Sequence, residues 1–213
     1  MTFTVMARCE RSGRLGMCTT SFSPIAGSRV PAIIPGVGAL AVMSFAAPAM
    51  VMFGGRRLLD GRDAGDVLDE LRANDPYPEH RQIGVIDARG NLAANTGAAA
   101  VPYAEHRCGD QFIVLGNVVA SSAVIAAMYE TFEATAGEPL AQRLLRGIEA
   151  GRDAGGQLDG QRSAFLKLGI PQQEALLVDF RVDYHQEPVG ALRGIFDRVL
   201  EADPQWAREV RAA

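Results

Sequence analysis

The sequence predicts an α+β protein built on antiparallel sheets, and two observations support this prediction. Apolar and polar residues alternate in short runs that are joined by glycine-containing turns, as in strands and hairpins. Between these runs lie segments whose apolar residues recur at helical spacing. The order is strands, helices, strands, helices, strands and a final helix, which is typical of α+β layers. We expect residues 1–213 to form one domain, since no repeat or low-complexity linker divides them.

The predicted elements follow from local signals. Alternation predicts strands at residues 3–8 and 15–20, joined as a hairpin. Further strands are predicted at residues 37–43, 111–117, 163–169 and 175–184, and two strands around a turn within residues 81–97. Helical spacing predicts one broken helix or two within residues 56–74, and helices at 123–134, 138–156 and 188–200. A serine precedes the second of these helices as a candidate cap, and a proline opens each of the last two.

A segment without any charged residue runs from Val30 to Gly55. On length alone it could span a bilayer. Prolines at positions 31, 35 and 48 and several glycines interrupt it, however, and proline breaks a helix interior. We therefore expect a loop, a doubly buried strand and the start of a helix here instead of a membrane helix.

Composition excludes several classes of protein. The chain has 213 residues, of which 48% are hydrophobic and 22% charged, as in ordinary globular proteins. A formal net charge of -4 without a basic run argues against nucleic acid as a partner. The three cysteines form no CxxC pair, which favours free thiols in the cytoplasm. Four charged residues between positions 8 and 14 interrupt any apolar core of a signal peptide, so we expect no export and no membrane partner.

Familiar catalytic and ligand-binding motifs do not occur. The sequence has no G-x-S-x-G, H-E-x-x-H, P-loop or G-x-G-x-x-G motif. His106 and Cys108 are two positions apart, but neither this pair nor the other two histidines complete a set of metal ligands. We therefore expect no metal and no cofactor, and a small molecule as the binding partner.

Thr2 has a position that suggests chemistry. Chain termini are usually frayed, whereas here a strand is predicted from the first residues. Methionine aminopeptidase removes Met1 when the next side chain is small, which would leave Thr2 with a free α-amine. An unperturbed α-amine has a pKa of about 8 and can act as general base toward the hydroxyl of the same residue. Taken alone, Thr2 is explained more simply as a strand residue, because β-branched residues favour strands.

The order and spacing of eight segments connect the chain to a known family. These segments are TFTVMAR, GSRVP, GVGALAV, RQIGVIDARGNLAANTG, VLGN, EAGRDAGG, RSA and VDFRVDYH. Over nearly its whole length the chain thus resembles the DUF1028 proteins, which are assigned to the N-terminal nucleophile (Ntn) hydrolase superfamily. The resemblance implies a four-layer αββα sandwich and an amide hydrolase that acts on a small C–N bond substrate through Thr2.

The resemblance also implies which residues surround Thr2. Ntn folds place the nucleophile at the start of the first strand, beside the end of the second strand, so Thr20 and Ser21 should lie next to it. The third strand should end near the same point, which makes Ser44 and its neighbours a wall whose backbone amides could form an oxyanion hole. Asn117, at the end of another strand, is either an amide donor to this cavity or a loop residue that caps its own backbone.

Two features of this chain differ from what the resemblance implies. The wall has Met43-Ser44 where many family members have Gln-Asn, and it is therefore more apolar. Ntn enzymes such as proteasome subunits use a lysine near the nucleophile, but Lys167 is the only lysine here, so Arg29 is the nearest available cation. The main alternative function is a non-catalytic binding or scaffold protein that retains the fold and has lost maturation.

Two further expectations concern surfaces. Four residues, Asp179, Arg181, Asp183 and His185, share one strand face because they follow i, i+2 spacing. This pattern indicates a solvent-facing charge ladder or, less simply, a substrate-binding face. A homodimer is the expected oligomer for a chain of this kind.

Overall fold

A computed structural model describes residues 1–212 and arranges ten strands of this range in two antiparallel sheets. The six-stranded sheet consists of β1 (Thr2–Arg8), β2 (Leu15–Ser21), β7 (Glu105–Gly109), β8 (Phe112–Asn117), β9 (Ser163–Gly169) and β10 (Leu176–Val182). The four-stranded sheet consists of β3 (Pro31–Ile34), β4 (Gly38–Ser44), β5 (Arg81–Asp87) and β6 (Leu92–Thr96). Their spatial orders are β10-β9-β2-β1-β8-β7 and β3-β4-β5-β6.

Six helices within residues 1–212 cover the outer faces of the two sheets: α2 (Pro48–Leu59), α3 (Ala64–Ala73), α4 (Ser122–Ala134), α5 (Leu140–Asp153), α6 (Pro188–Ala202) and α7 (Pro204–Arg211). The short helix α1 (Ala26–Arg29) lies instead at the inter-sheet layer, where its Ala26 is buried. The last four helices share an apolar cluster with the six-stranded sheet, and α2 and α3 share one with the four-stranded sheet. A third apolar cluster lies between the sheets. The predicted four-layer αββα sandwich is confirmed.

Strand β1 is buried on both faces. Phe3 and Val5 pack into the cluster under α4 and α5, whereas Met6 packs between the two sheets. Because side chains alternate along a strand, Thr2 and Thr4 share the inter-sheet face with Met6. The alternation of β1 therefore directs the Thr2 side chain into the space between the sheets.

The uncharged segment from Val30 to Gly55 forms β3, β4 and the first part of α2. Six of the seven residues of β4 are buried, which matches the predicted doubly buried strand. Pro48 is the first residue of α2, where its missing N–H leaves no bond unmade. Of the helices in residues 1–212, none is long and apolar enough to cross a membrane.

Four elements were not predicted from local patterns. Strand β3 and helix α1 have four residues each, too short for a periodic signal. Strand β7 has the sequence EHRCG, and its pairing with β8 rather than any alternation makes it a strand. Helix α7 is capped by Asp203, which accepts from the Gln205 and Trp206 amides. The segment 56–74 contains the end of α2 and all of α3 as two separate helices.

Gly84 on β5 marks a close approach of the two sheets. A Cβ added there would lie 2.8 Å from Met6 Sδ and 3.0 Å from Leu115 Cδ1 of the opposite sheet. We predict that Gly84→Val lowers the free energy of unfolding by about 1–3 kcal/mol, because the extra methyl groups overpack this layer. Urea unfolding measures the change.

Gly194→Ala is the control for this prediction. Gly194 lies in α6 with no atom within 4 Å of an added Cβ. Alanine there should raise the free energy of unfolding by up to about 1 kcal/mol, as it does in helix interiors. A Gly84→Val protein as stable as the parent would contradict the described spacing of the sheets.

Candidate active site

A cavity of about 250 Å³ opens at one end of the inter-sheet layer. It lies where β1 begins and where β2 and β4 end, so backbone turns at this end leave space between the sheets. Met1, Thr2, Ser21, Arg29 and Ser44 contribute polar groups to its lining. The apolar part of the lining includes Pro24, Ala26, Val30, Met43 and Phe45. The cavity thus combines one apolar wall with a row of hydroxyl groups.

The hydroxyls of Thr2 and Ser21 form a directed chain of hydrogen bonds. Their oxygens lie 3.1 Å apart, and the two residues are partners in the β1–β2 register. The Ser21 hydroxyl donates to the Met1 carbonyl over 2.8 Å, so its single hydrogen is used. The Thr2 hydroxyl is consequently the donor toward Ser21. Ser21 Oγ also accepts from the Ser23 amide at 3.1 Å, which fixes its position.

Met1 extends β1 into the mouth of the cavity. It is half-buried and its carbonyl accepts from the Phe22 amide at 3.3 Å, in addition to the Ser21 hydroxyl. Burial lowers the pKa of the Met1 α-amine from its ordinary value. The end of this sheet therefore disfavours a charged amine at Met1.

Ser44 and Phe45 form the wall opposite the hairpin. Ser44 has a φ of 71°, a left-handed conformation that is costly for a residue with a Cβ atom. This turn leaves the Phe45 ring 63% exposed at the mouth of the cavity. The Phe45 carbonyl accepts from Arg81, whose guanidinium is paired at 2.8 Å with Asp75. A buried ion pair thus anchors the backbone of the wall.

Arg29 supplies positive charge at the cavity. It is exposed at the end of α1 and is the one charged side chain among the described residues that line the cavity. A guanidinium at this position can donate two parallel hydrogen bonds to a carboxylate.

Asn117 lies behind Thr2 and does not line the cavity. It faces Thr2 across the β1–β8 pairing and is fully buried. Its Nδ2 donates to Gln82 Oε1 at 3.0 Å, so it is not a loop residue that caps its own backbone. Gln82, on β5, was not predicted as a site residue. One sequence feature could have indicated Gln82: it is a glutamine within the apolar strand 81–87, on the same face as Gly84 and Ile86.

Thr20 points away from the cavity. Its register partner is Phe3, which faces the helices, and its hydroxyl donates to the Ser163 carbonyl at 2.9 Å. The expectation that Thr20 borders Thr2 in the cavity therefore fails, because adjacent strand residues face opposite sides. Thr19 does face the inter-sheet layer, where its hydroxyl lies 2.8 Å from that of Thr4.

Of the four residues expected to share one strand face, Asp179 and Arg181 lie in β10, the edge strand of the six-stranded sheet. Asp183 and His185 follow the end of β10 at Val182, so the expected four-residue face is not formed, and none of the four lines the cavity. Asp179 pairs with Lys167 of the neighbouring strand at 3.2 Å, as a cross-strand ladder requires. Within residues 1–212, no group of three His, Cys, Asp or Glu side chains could hold a metal ion.

A larger cavity, of about 500 Å³, lies near the β1–β2 turn at the opposite end of the hairpin. It contains Cys9. Burial raises the pKa of the Cys9 thiol, but hydrogen bonds from Ser12 and Arg11 lower it more, so the net shift is downward. None of the described residues that line this cavity is a histidine, the common base partner of a catalytic thiol. The cavity at Thr2 is therefore the better candidate for catalysis.

One protein family and a solved structure match most of the chain. The model of the family described as "Family of unknown function (DUF1028)" matches residues 2–192. A crystal structure of a DUF1028 protein from Silicibacter pomeroyi superimposes with a TM-score of 0.86 at 25% sequence identity, covering 99% of this chain and 93% of that chain. No curated protein matches the sequence at a significant level.

More distant similarity extends to Anbu proteins. Anbu (ancestral beta-subunit) from Yersinia bercovieri superimposes with a TM-score of 0.45 at 14% identity, covering 94% of this chain and 95% of that chain. Anbu from Hyphomicrobium sp. strain MC1 gives a TM-score of 0.43 at 14% identity, with the same coverage of 94% and 95%. These values are too low to support a functional argument.

The left-handed conformation of Ser44 yields a prediction about stability. Ser44→Gly should raise the free energy of unfolding by about 0.5–1 kcal/mol. Glycine has no Cβ atom and therefore adopts a positive φ without steric cost, but part of this gain is offset because glycine loses more backbone entropy on folding. Ser44→Ala keeps the Cβ atom and should give no such gain. Thermal unfolding of both variants checks this, and equal stability of the two would contradict a strained turn at the cavity.

Proposed function

This chain belongs to the DUF1028 family of unknown function, and we propose that it is an N-terminal nucleophile hydrolase that cleaves a small amide substrate through Thr2. The nucleophile becomes active when Met1 is removed and the α-amine of Thr2 is free. One observation carries the proposal: the Thr2 hydroxyl lies in the cavity beside Ser21, directly next to the residue that maturation would remove. Nucleophile and base then belong to the same residue.

The retained Met1 carbonyl marks the place of a substrate carbonyl. An acyl group on the nitrogen of a threonine lies close to the position of an acyl group on its Oγ1. The acyl carbon can bridge the two atoms, because N, Cα, Cβ, Oγ1 and this carbon form a five-membered ring. The Met1 carbonyl oxygen accepts from Ser21 Oγ and the Phe22 amide. After maturation both donors are free, and they can stabilise the oxyanion of a substrate at this place.

Acylation follows from this arrangement. The Thr2 α-amine takes the proton of Oγ1 as Oγ1 attacks the substrate carbonyl carbon and forms a C–O bond. Negative charge develops on the carbonyl oxygen and is bound by the Ser21 hydroxyl and the Phe22 amide. The C–N bond then breaks, the α-ammonium gives its proton to the leaving nitrogen, and an ester on Thr2 remains.

Deacylation uses the same groups in reverse. The α-amine takes a proton from water, and the hydroxide attacks the ester carbonyl. The bond to Oγ1 breaks, the acid leaves, and the ammonium returns its proton to Oγ1. This cycle needs no group besides Thr2 and its two oxyanion donors.

The lining suggests the class of substrate. Arg29 fits a carboxylate, and the apolar side chains of Val30, Met43 and Phe45 in the lining fit a short apolar chain. A cavity of about 250 Å³ admits a small molecule better than a folded protein. We therefore propose a small amide whose acyl part ends in a carboxylate.

A non-catalytic binding protein is the second candidate function. It is favoured by the two hydrogen bonds to the Met1 carbonyl, which make the unprocessed chain end a satisfied part of the strand. In such a protein Met1 is retained, the α-amine of Thr2 never forms, and the cavity only binds. The mass of the intact protein distinguishes the two.

Location and assembly complete the proposal. Cys9, Cys18 and Cys108 are free thiols, which supports a reducing cytoplasm as the place of action. A homodimer stays a prediction, and analytical ultracentrifugation of the purified protein tests it.

Thr2 variants test the nucleophile. Thr2→Ala should retain Met1 removal and the fold but lower kcat by roughly 10⁴–10⁶-fold, as loss of a covalent nucleophile does. Thr2→Ser should keep part of the activity. Hydrolysis of a panel of small N-acyl p-nitroanilides measures the rates, and intact-protein mass measures processing.

A variant with blocked maturation separates the amine from the hydroxyl. Placing a residue that prevents Met1 removal in front of an intact Thr2 should abolish activity. Hydrolysis by protein with Met1 fully retained, at the rate of the processed form, would disprove the N-terminal nucleophile mechanism.

Arg29 variants test the substrate class. Arg29→Gln should lower kcat/KM for succinyl-p-nitroanilide by about 10–100-fold, the effect of losing a charged hydrogen-bonded pair. The same variant should leave kcat/KM for butyryl-p-nitroanilide, which lacks the carboxylate, unchanged. Equal losses for both substrates would mean that Arg29 has a structural role instead.

A further inference from the structure

Asn117 has a buried oxygen atom that the fold leaves without a partner. The residue stands opposite Thr2 in the β1–β8 register with 0% exposure. Its Oδ1 has no hydrogen-bond partner within residues 1–212. A buried acceptor without a donor is costly and rare, so this position requires an explanation.

Gln82 determines which way the Asn117 amide faces. Gln82 Nε2 lies 3.0 Å from the carbonyl oxygens of Glu105 and Gly116, and 2.9 Å from Thr96 Oγ1. Because a carbonyl can only accept, the Gln82 nitrogen must face these groups and its oxygen must face Asn117. Asn117 then has to present its nitrogen to Gln82 Oε1. Its oxygen is the atom that remains free, and a flipped amide would break this network.

The backbone of β1 directs the Thr2 nitrogen toward the same strand. The Phe22 amide donates to the Met1 carbonyl, so the peptide groups of Met1 face β2. Peptide groups alternate sides along a strand, and those of Thr2 therefore face β8, where Asn117 is its register partner. The side chains of these two partners also share the inter-sheet face. The nitrogen that becomes the α-amine thus lies on the Asn117 side of Thr2.

From this arrangement we infer that Asn117 Oδ1 accepts a hydrogen bond from the Thr2 α-amine once Met1 has been removed. Asn117 is then a positioning residue. Its main-chain carbonyl, which the β1–β8 register pairs with the Thr2 nitrogen, takes one N–H of the amine, and Oδ1 takes the N–H that Met1 removal creates. The nitrogen lone pair is left for Thr2 Oγ1. The inference rests on the proposed maturation at Thr2. A neutral amide suits this role, because a carboxylate there would stabilise the ammonium and remove the base.

Charged residues also occur on the elements near the cavity and the Gln82 network. They are Arg29 on α1, Arg81 on β5 with its partner Asp75, Glu105, His106 and Arg107 on β7, and Arg162 before β9, and of these only Arg29 lines the cavity with Thr2. Both carboxylates of this set are ion-paired, Asp75 with Arg81 at 2.8 Å and Glu105 with Arg107 at 2.7 Å. His106 bonds to Thr96 Oγ1, at the far end of the Gln82 network from Thr2.

The test measures the pKa of the Thr2 α-amine and needs no substrate. A chain that begins at Thr2 is released from an N-terminal ubiquitin fusion and labelled with limiting acetic anhydride over a range of pH. Mass spectrometry of the N-terminal peptide gives the labelling midpoint. Asn117→Asp should move this midpoint upward by about 1–3 pH units, because a carboxylate then faces the ammonium. Asn117→Leu should move it downward, since the acceptor for the charged form is lost.

Asn95→Asp is the matched control. Asn95 is half-buried on β6 and pairs with Ile83, which faces the helices, so the same chemical change occurs away from Thr2. The labelling midpoint of Asn95→Asp should equal that of the parent protein. Equal midpoints for Asn117→Asp and Asn95→Asp overturn the inference. If Asn117→Asp does not fold, Asn117→Leu is the deciding variant. A labelling midpoint of Asn117→Leu equal to that of the parent also overturns the inference.

The outcome is separable from that of the proposed function. Shifted midpoints together with no hydrolysis of any amide in the panel support the position of Asn117 and count against the hydrolase. Unchanged midpoints in a protein that hydrolyses the panel through Thr2 count against Asn117 alone.

Discussion

The site depends on the burial of β1 on both of its faces. Phe3 and Val5 pack under the helices, and Met6 packs against the second sheet. Shifting the pairing by one residue would turn the phenylalanine into the inter-sheet layer and Thr2 toward the helices, exchanging every side chain between faces. Apolar packing along the whole strand thus fixes the direction of a hydroxyl at its first residue. Rigid support of this kind is what an acyl-carrying side chain needs.

The layer between the sheets changes character along its length. Its middle is apolar: Met6 and Leu115 face Gly84, and Ile86 belongs to the same cluster. Toward the cavity it becomes polar, first with the Thr4–Thr19 hydroxyl pair and then with the amides of Gln82 and Asn117. Buried polar groups are tolerated there because nearly all of them are paired. The unpaired oxygen of Asn117 is the exception, and it lies beside the residue whose chemistry is proposed.

The cavity joins two kinds of recognition. Hydroxyl and amide donors surround the Met1 carbonyl, whereas Arg29 and the wall around Phe45 face the space where a substrate would extend. Arg81, paired with Asp75, binds the backbone of the wall, and the left-handed turn at Ser44 sets the direction of the chain there. Strained backbone that persists beside a cavity is common at functional sites, since surrounding contacts must compensate for it. The proposed chemistry at Thr2 and the proposed substrate recognition at the wall therefore rest on different structural elements.

Elements with a clear local pattern could be predicted from the sequence: the opening hairpin, the strands of residues 81–97, 111–117 and 163–169, and the long helices. The sequence also placed Thr2 at the start of a strand, and the family resemblance indicated Ser21, Arg29 and Ser44 as its neighbours. It could not decide between Thr20 and Ser21, because all seven residues of β2 are buried and no polar face distinguishes its two sides. Tertiary structure alone decided that Asn117 stands opposite Thr2 and that Gln82 fixes its amide. Both facts follow from strand order and sheet packing, which join segments far apart in the chain through contacts that no local pattern encodes.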